Sequence, residues 1–315
     1  ETSIEIFSIP PCLEIISKMS FSNCSNLRCI DILTSSKLKR IEKLAFYNSS
    51  IEQLTIPPSL VDLENGWCNR TDKLLKIDVM PNNSRYIKYD DKIIIGKSSV
   101  EQQNYDTLVF CARNVKSATI PNFIEVIGVG SFNKCNIHSL EFETGSKLKI
   151  IDDDAFSLSS IKSISIPSTL KIIGKNAFYL CHNLNIANIP TNSELQTINE
   201  RALSGCSFAN FYIPRHIKII YASTFSGCKN LKNVHISENS ELQLIEPYAF
   251  LGSSITSLYI PRYVSSIYEK AFVRCFNLKI IEFDENYEFE DFLFSSYNEI
   301  QGIIFMIPNK LINDL

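Results

Sequence analysis

Isoleucine-proline pairs stand at Ile9, Ile56, Ile120, Ile166, Ile213, Ile260 and Ile307, and five of the six intervals are 46 or 47 residues. No other feature limits the fold as much. A fixed period of this length marks stacked repeats, in which no unit can bury its apolar face alone. A second apolar segment lies midway between the pairs, ending at Ile32, Val79, Phe142, Ile189, Ile236 and Phe283. The steps therefore alternate between 22–23 and 24 residues. The exception is Val79 to Ile120, where 41 residues replace 24, an insert of 17.

Each step holds a short segment of period two, such as Leu54-Thr55-Ile56, Ile164-Ser165-Ile166 or Leu258-Tyr259-Ile260. Two apolar residues flanking one outward residue predict a half-buried strand. The proline that follows lacks a donor and stops the ladder. Apolar residues then return at +4, +7, +11, +12, +15 and +18 from the isoleucine. That spacing predicts a turn, a brief helical or 3₁₀ segment at pairs such as Ala177-Phe178, and a return to the next strand. Residues 1–315 thus read as one solenoid domain of about 12 repeats of 22–24 residues. Its expected class is α/β: a right-handed superhelix with one parallel sheet of short strands and short 3₁₀ or helical turns.

The insert falls within residues 84–112. β-rich runs at Arg85 to Gly96 and Thr107 to Cys111 surround Asp90-Asp91, and Lys97 to Asp106 is polar. A β-hairpin or three-strand flap projecting from the solenoid is expected. Such inserts fall on a loop face that often binds. Neither end carries a polar cap: Ile4 to Ile9 is already core-patterned, and Ile307-Pro308 starts a coil that stops at Leu315. Solenoid ends need covering, so the expectation is a fragment or ends covered by something else.

The run Ile-Pro…Ile…Ile…Ala-Phe…Cys…Asn-Leu, best seen from Ile166 to Ile189 and from Ile213 to Ile236, resembles the BspA-like leucine-rich repeats. The resemblance spans nearly the whole chain and weakens at Glu64 to Leu74 and from Asp284 to Gly302. Pro81-Asn82-Asn83-Ser84, Tyr89-Asp90-Asp91 and Ile93-Ile94-Ile95 look like the family's hairpin element, with Lys92 where glycine is usual. The resemblance implies a surface or secreted protein of bacteria or parasitic protists, linked to adhesion to host proteins or cells.

A net charge of −3 and a pI near 5.9 argue against nucleic-acid or anionic-membrane partners. No apolar run approaches the roughly 18 residues of a membrane span, and no basic-then-apolar leader precedes the pattern at Glu1. Ten cysteines are too few for a disulfide scaffold. Cys24, Cys135, Cys181, Cys228 and Cys275 share position +15. Neighbours in that column are two coils apart, about 10 Å, beyond disulfide reach. They read as small buried thiols, while Cys206 on an intervening coil could approach Cys181 or Cys228.

Nothing points to a cofactor or to catalysis. The four histidines form no HExxH, Asp152-Asp153-Asp154 lacks the oxygens of a calcium loop, and Gly128-Val129-Gly130 lacks the rest of a phosphate motif. Sequons at Asn48, Asn69 and Asn82 are candidate glycosylation sites, and Asn23, beside Phe21 and Cys24, is a poor one. The outward strand row supplies a candidate ligand-binding face: Asp31, Asp78 and Glu141, then Tyr212, His235, Tyr259 and Glu282. Aromatic residues gathered on a strand face are prone to interfaces. The expected function is a non-enzymatic protein-binding module of adhesion type at a cell surface or secreted, with an intracellular interaction scaffold as the alternative.

Overall fold

The structure is a computed structural model that describes residues 4–99, 101–287 and 303–306. The coil expected from Ile307 lies outside these. The chain divides into two compact units, Glu1–Ser160 and Ile161–Leu315, and each is a stack of β-coils.

In the first unit Ile6–Ser8, Cys29–Asp31, Gln53–Ile56 and Lys76–Val79 form one parallel ladder. Ser117–Ile120 pairs with Ser139–Phe142 in a second. In the second unit Ser163–Ser165 pairs with Ile186–Asn188. Asn210–Ile213, Asn233–Ile236, Ser257–Ile260, Ile280–Phe283 and Ile304–Met306 then follow one another in a five-stranded sheet. The register keeps equivalent residues opposite: Ile56 faces Val79, and Ile260 faces Phe283. Inward residues such as Leu54, Phe211 and Leu258 are buried, as period-two alternation requires.

Two expectations need correction. The sheet is not single. A second side of the described coils outside the insert carries two-residue parallel strands, such as Arg40–Ile41 beside Asp62–Leu63 and Ile219–Ile220 beside Leu244–Ile245. The α/β label and the 3₁₀ turns also fail, since the described residues contain no helix. The backbone at Ala45-Phe46 shows why. Ala45 N–H donates to Glu42, Tyr47 to Leu44 and Ser49 to Phe46, each bond closing a β-turn. The alternate donors leave the coil: Phe46 N–H bonds Trp67 and Asn48 N–H bonds Asn69. Leu44 and Asn48 have φ of 60° and 54°, the left-handed value a type II turn needs at its third residue. A helix would keep every donor at home. Here half of them tie each corner to the next, and stacked phenylalanines such as Phe225 and Phe250 fill the space behind.

The column thiols serve the same stacking. Cys228 donates to Leu203 O at 3.2 Å and Cys275 to Phe250 O at 2.9 Å, each reaching the previous coil. Cys206 donates to Phe178 O at 3.4 Å, and all ten cysteines are free.

The insert does form a three-stranded antiparallel element: Tyr86–Lys88 pairs with Ile93–Gly96, which pairs with Thr107–Cys111. It is built into the unit, because Thr107–Cys111 continues in parallel to Val126–Ile127. Ile93, Ile94 and Ile95 are buried, and the Tyr86 hydroxyl accepts Leu63 N–H at 2.9 Å. Asp90 closes the hairpin by accepting Lys92 and Ile93 N–H, both at 2.7 Å, so a glycine at position 92 is unnecessary.

The coil that carries the insert is short on one side. Leu108 aligns with Ile127 and Ser117 with Ser139, so it spans three residues fewer and has no room for the double turn. The corners above and below meet across the gap: Arg70 N–H bonds the Asn133 side chain at 2.8 Å. Arg113 fills the space. Its guanidinium donates to Ser131 O at 2.7 Å, Cys111 O at 3.3 Å and Gly130 O at 3.4 Å.

Candidate functional site

The outward strand row behaves differently in the two units. In the first, Asp31 is exposed, and its carboxylate accepts a long bond from Ser8 Oγ at 3.5 Å. Thr55 lies between it and Asp78 in coil order. Asp78 is neutralised, with Lys76 Nζ at 2.7 Å and Lys88 Nζ at 3.1 Å. The hydrogen bond from Lys76, then that from Lys88, outweighs burial and holds its carboxyl below the ordinary value. Glu141 is exposed opposite Thr119. These three acids do not form one site.

In the second unit the row is a continuous surface. Tyr212 and His235 face each other in register, their rings stacked at 4.5 Å and 14°. Tyr212 is 63% exposed. Beside them Asn233 Nδ2 donates to Asn210 Oδ1 at 2.7 Å. One coil further, Tyr259 lies opposite Glu282, and Glu282 opposite Met306. Tyr259 donates its hydroxyl proton to Asp284. Burial, then Asp284 as acceptor and charge, pushes the phenol well above its ordinary value. For Asp284, burial acts upward, but the bonds from Tyr259 and Asn286 N–H outweigh it and keep the carboxyl low. A cleft of about 650 Å³ opens here, lined by Tyr259, Glu282, Asp284, Arg262, Glu238 and Asn239 among others.

Sequence reasoning named Tyr259 and Glu282 but not Asp284 or Arg262. Both lie just past a strand end, outside the alternating row, and only the stacking offset of 25 residues brings Asp284 to Tyr259. Lys76 was legible, since it stands two residues before Asp78 on the same strand face. Among the described residues no group of three His, Cys, Asp or Glu is placed to hold a metal ion. No helix among them is long and apolar enough to cross a membrane.

The sequons differ. Asn48 and Asn82 are exposed. Asn69 is 9% exposed and packs against Gly66 and Gly130, and Thr71 is fully buried. The folded chain therefore has no room for a glycan at Asn69, which corrects that expectation.

The family described as BspA type leucine rich repeat region matches the chain in 6 copies, over residues 1–90, 104–232 and 196–314. The chain belongs to the BspA-type leucine-rich repeat family. Residues 91–103, between the first two matched stretches, fall inside the insert. Among solved structures, this BspA-type chain is similar to a leucine rich cell surface protein from Faecalibacterium prausnitzii, with 22% identity and a TM-score of 0.52. The match covers 96% of this chain and 63% of that one. It is also similar to the pneumococcal vaccine antigen PcpA, at 22% identity and TM-score 0.57, covering 99% and 64%. A leucine-rich repeat protein from Bacteroides ovatus has 19% identity and TM-score 0.53, covering 96% and 84%. The chain thus spans under two thirds of the first two proteins. No curated protein matches at a significant level. At these identities the solved structures establish the shared fold.

Proposed function

We propose that the chain is a non-enzymatic protein-binding module of adhesion type, acting at a cell surface or secreted, and that the outward face of its second unit carries the contact. The observation behind this reading is the exposed Tyr212–His235 stack beside the Tyr259–Glu282 cleft. Aromatic side chains held rigid by their neighbours offer large contact area at low entropic cost. The shifted groups nearby already have structural partners: Asp284 accepts the Tyr259 proton and the Asn286 N–H. The surface assignment draws on the names of two similar structures, a cell surface protein and a vaccine antigen.

The test is binding of the intact chain and a Tyr212→Ala, His235→Ala double variant to host cells and immobilised matrix proteins. Both side chains point to solvent, so the variant should fold as the parent does and lose most of the binding. Undiminished binding by the folded variant sinks the reading. The second reading, an intracellular scaffold using the same face, is favoured by the ten unbridged cysteines, Cys12 among them exposed. Glycans at Asn48 or Asn82, sought by mass spectrometry on protein from its natural source, would count against it.

A further inference from the structure

A second recessed surface lies in the first unit, where the insert meets the coils that follow it. A cleft of about 370 Å³ is lined by Tyr89, Tyr105, Ile87 and Ile95 from the insert and by Phe123 and Lys147 from the next coils, with Asn104 at its edge. Its floor is aliphatic. Its walls are aromatic: the Tyr89 and Phe123 rings meet edge to face at 6.1 Å and 67°, and both are more than a third exposed. Isolated exposed rings are ordinary on a protein surface; rings converging on one concavity are not. Concave apolar sites with a few polar groups at the rim are the usual form of a binding pocket.

The charged groups around the cleft differ in the partners they have. The acids are already occupied. Glu125 takes Lys149 Nζ at 2.7 Å. Asp106 accepts Ser98 N–H at 2.7 Å, Ser98 Oγ at 2.6 Å, Gln102 Nε2 at 3.0 Å and Thr107 Oγ1 at 3.0 Å. Burial acts to raise the Asp106 carboxyl, but these bonds outweigh it and keep it low. Among the described residues Lys147 has no carboxylate partner, and Lys97 rests its ammonium on the Tyr105 ring at 5.3 Å. The Asp106 cluster also fixes the loop that presents Asn104 and Tyr105, so the cleft is formed before anything enters it.

We propose that this cleft binds an extended peptide segment, seating one large apolar side chain between Tyr89, Tyr105 and Phe123 and setting an adjacent acidic residue against Lys147. The site is separate from the face of the second unit, and the two can fail independently. A neutral sugar would use the rings and Asn104 but not Lys147, and a basic segment would meet an unpaired ammonium.

The probe is a fluorescein-labelled Gly-Ser octapeptide with a central Phe-Glu pair, read by anisotropy on the intact chain. The expected result is saturable binding. It should weaken about thirtyfold with Phe123→Ala, the scale of a buried aromatic anchor. It should weaken about fivefold with Lys147→Glu, the scale of an exposed ion pair. The Lys147→Glu variant should prefer the matching Phe-Lys peptide, while Tyr212→Ala, His235→Ala should bind like the parent. Phe123 and Lys147 are both exposed, so circular dichroism should show both variants folded. Three outcomes overturn the proposal: no binding at about 1 mM, equal affinity for the Phe-Glu and Phe-Lys peptides, or saturable binding of neutral chitotriose without binding of either peptide.

Discussion

Arg113 is among the largest fully buried side chains, at 2% exposure, and no carboxylate pairs with it among the described residues. A guanidinium keeps its charge under all ordinary conditions, and a buried charge is tolerated only where hydrogen bonds replace water. Here three carbonyls do so. They belong to the short coil and to the corner after it, where Ser131 O also accepts Cys111 N–H and Gly130 O also accepts Asn133 N–H, both at 3.0 Å. Cys68 Sγ, 3.5 Å away, supplies no anion, because burial pushes that thiol up more than Arg113 pulls it down. The side chain thus adds donors where the double turn is missing, and its guanidinium also lies 4.7 Å from the centre of the Phe110 ring.

Arg113→Ala removes the donors and opens a void together. The best of the three bonds, at 2.7 Å to Ser131 O, is charge-assisted and is worth about 1.5–3 kcal/mol. The two longer ones add less, and the void adds its own cost. The sum is about 3–5 kcal/mol, lost charge-assisted bonds and void together. Arg113→Met keeps most of the stem and should cost about half as much. Trp67 is the single tryptophan, buried with its ring 6.5 Å from Phe110, so its fluorescence reports this gap. Urea titrations followed at Trp67 should show the midpoint falling at a similar slope. An Arg113→Ala protein within about 1 kcal/mol of the parent would refute the reasoning, and the insert would then need no such anchor.

Two further outcomes follow from the same geometry. Gly130 has φ of 64°, and a Cβ there would lie 2.0 Å from Asn69 Oδ1. Gly130→Ala should cost about 2–4 kcal/mol by left-handed strain plus overpacking, and less in an Asn69→Gly background, as a double-mutant cycle by urea unfolding would show. Burial pushes the Cys228 thiol from 9.0 to about 12. An acid whose folded pKa is raised holds its proton after the unfolded chain has lost it. Its stability contribution is therefore complete below pH 9 and declines between pH 9 and 12, by about 1.4 kcal/mol per pH unit. Cys228→Ala should lose that share of the alkaline slope, measured as unfolding free energy against pH; an unchanged slope would mean the thiol ionises freely in the fold.

How far the sequence reached depends on which backbone atoms a residue pattern constrains. Ile-Pro spacing places strands, because inward isoleucines and the missing proline donor act on the residue that carries them. The corners were misread because Ala-Phe and the following cysteine sit at +11, +12 and +15, an interval pattern that one helical turn would also give. The distinguishing signal was present in another residue type. Left-handed residues come in pairs four apart at the described corners, such as Gly66 and Arg70, Arg201 and Gly205, or Ser223 and Gly227. Gly66, Gly130, Gly205, Gly227 and Gly252, half of the ten glycines, fall in these two columns. Alignment by glycine instead of by isoleucine separates a double type II turn from a helix, since a helix interior has no use for a positive φ. Arg113 had no such signal. Its role exists only because the insert shortens one coil by three residues, and a side chain that answers a local departure from the period cannot be found by the period. The same limit applies to the cleft at Phe123: Tyr89, Tyr105 and Lys147 belong to three different elements, and their convergence follows from how the insert joins the sheet. The repeat therefore makes the scaffold and its outward strand row readable in advance, whereas side chains that answer a break in the repeat are placed only by the folded chain.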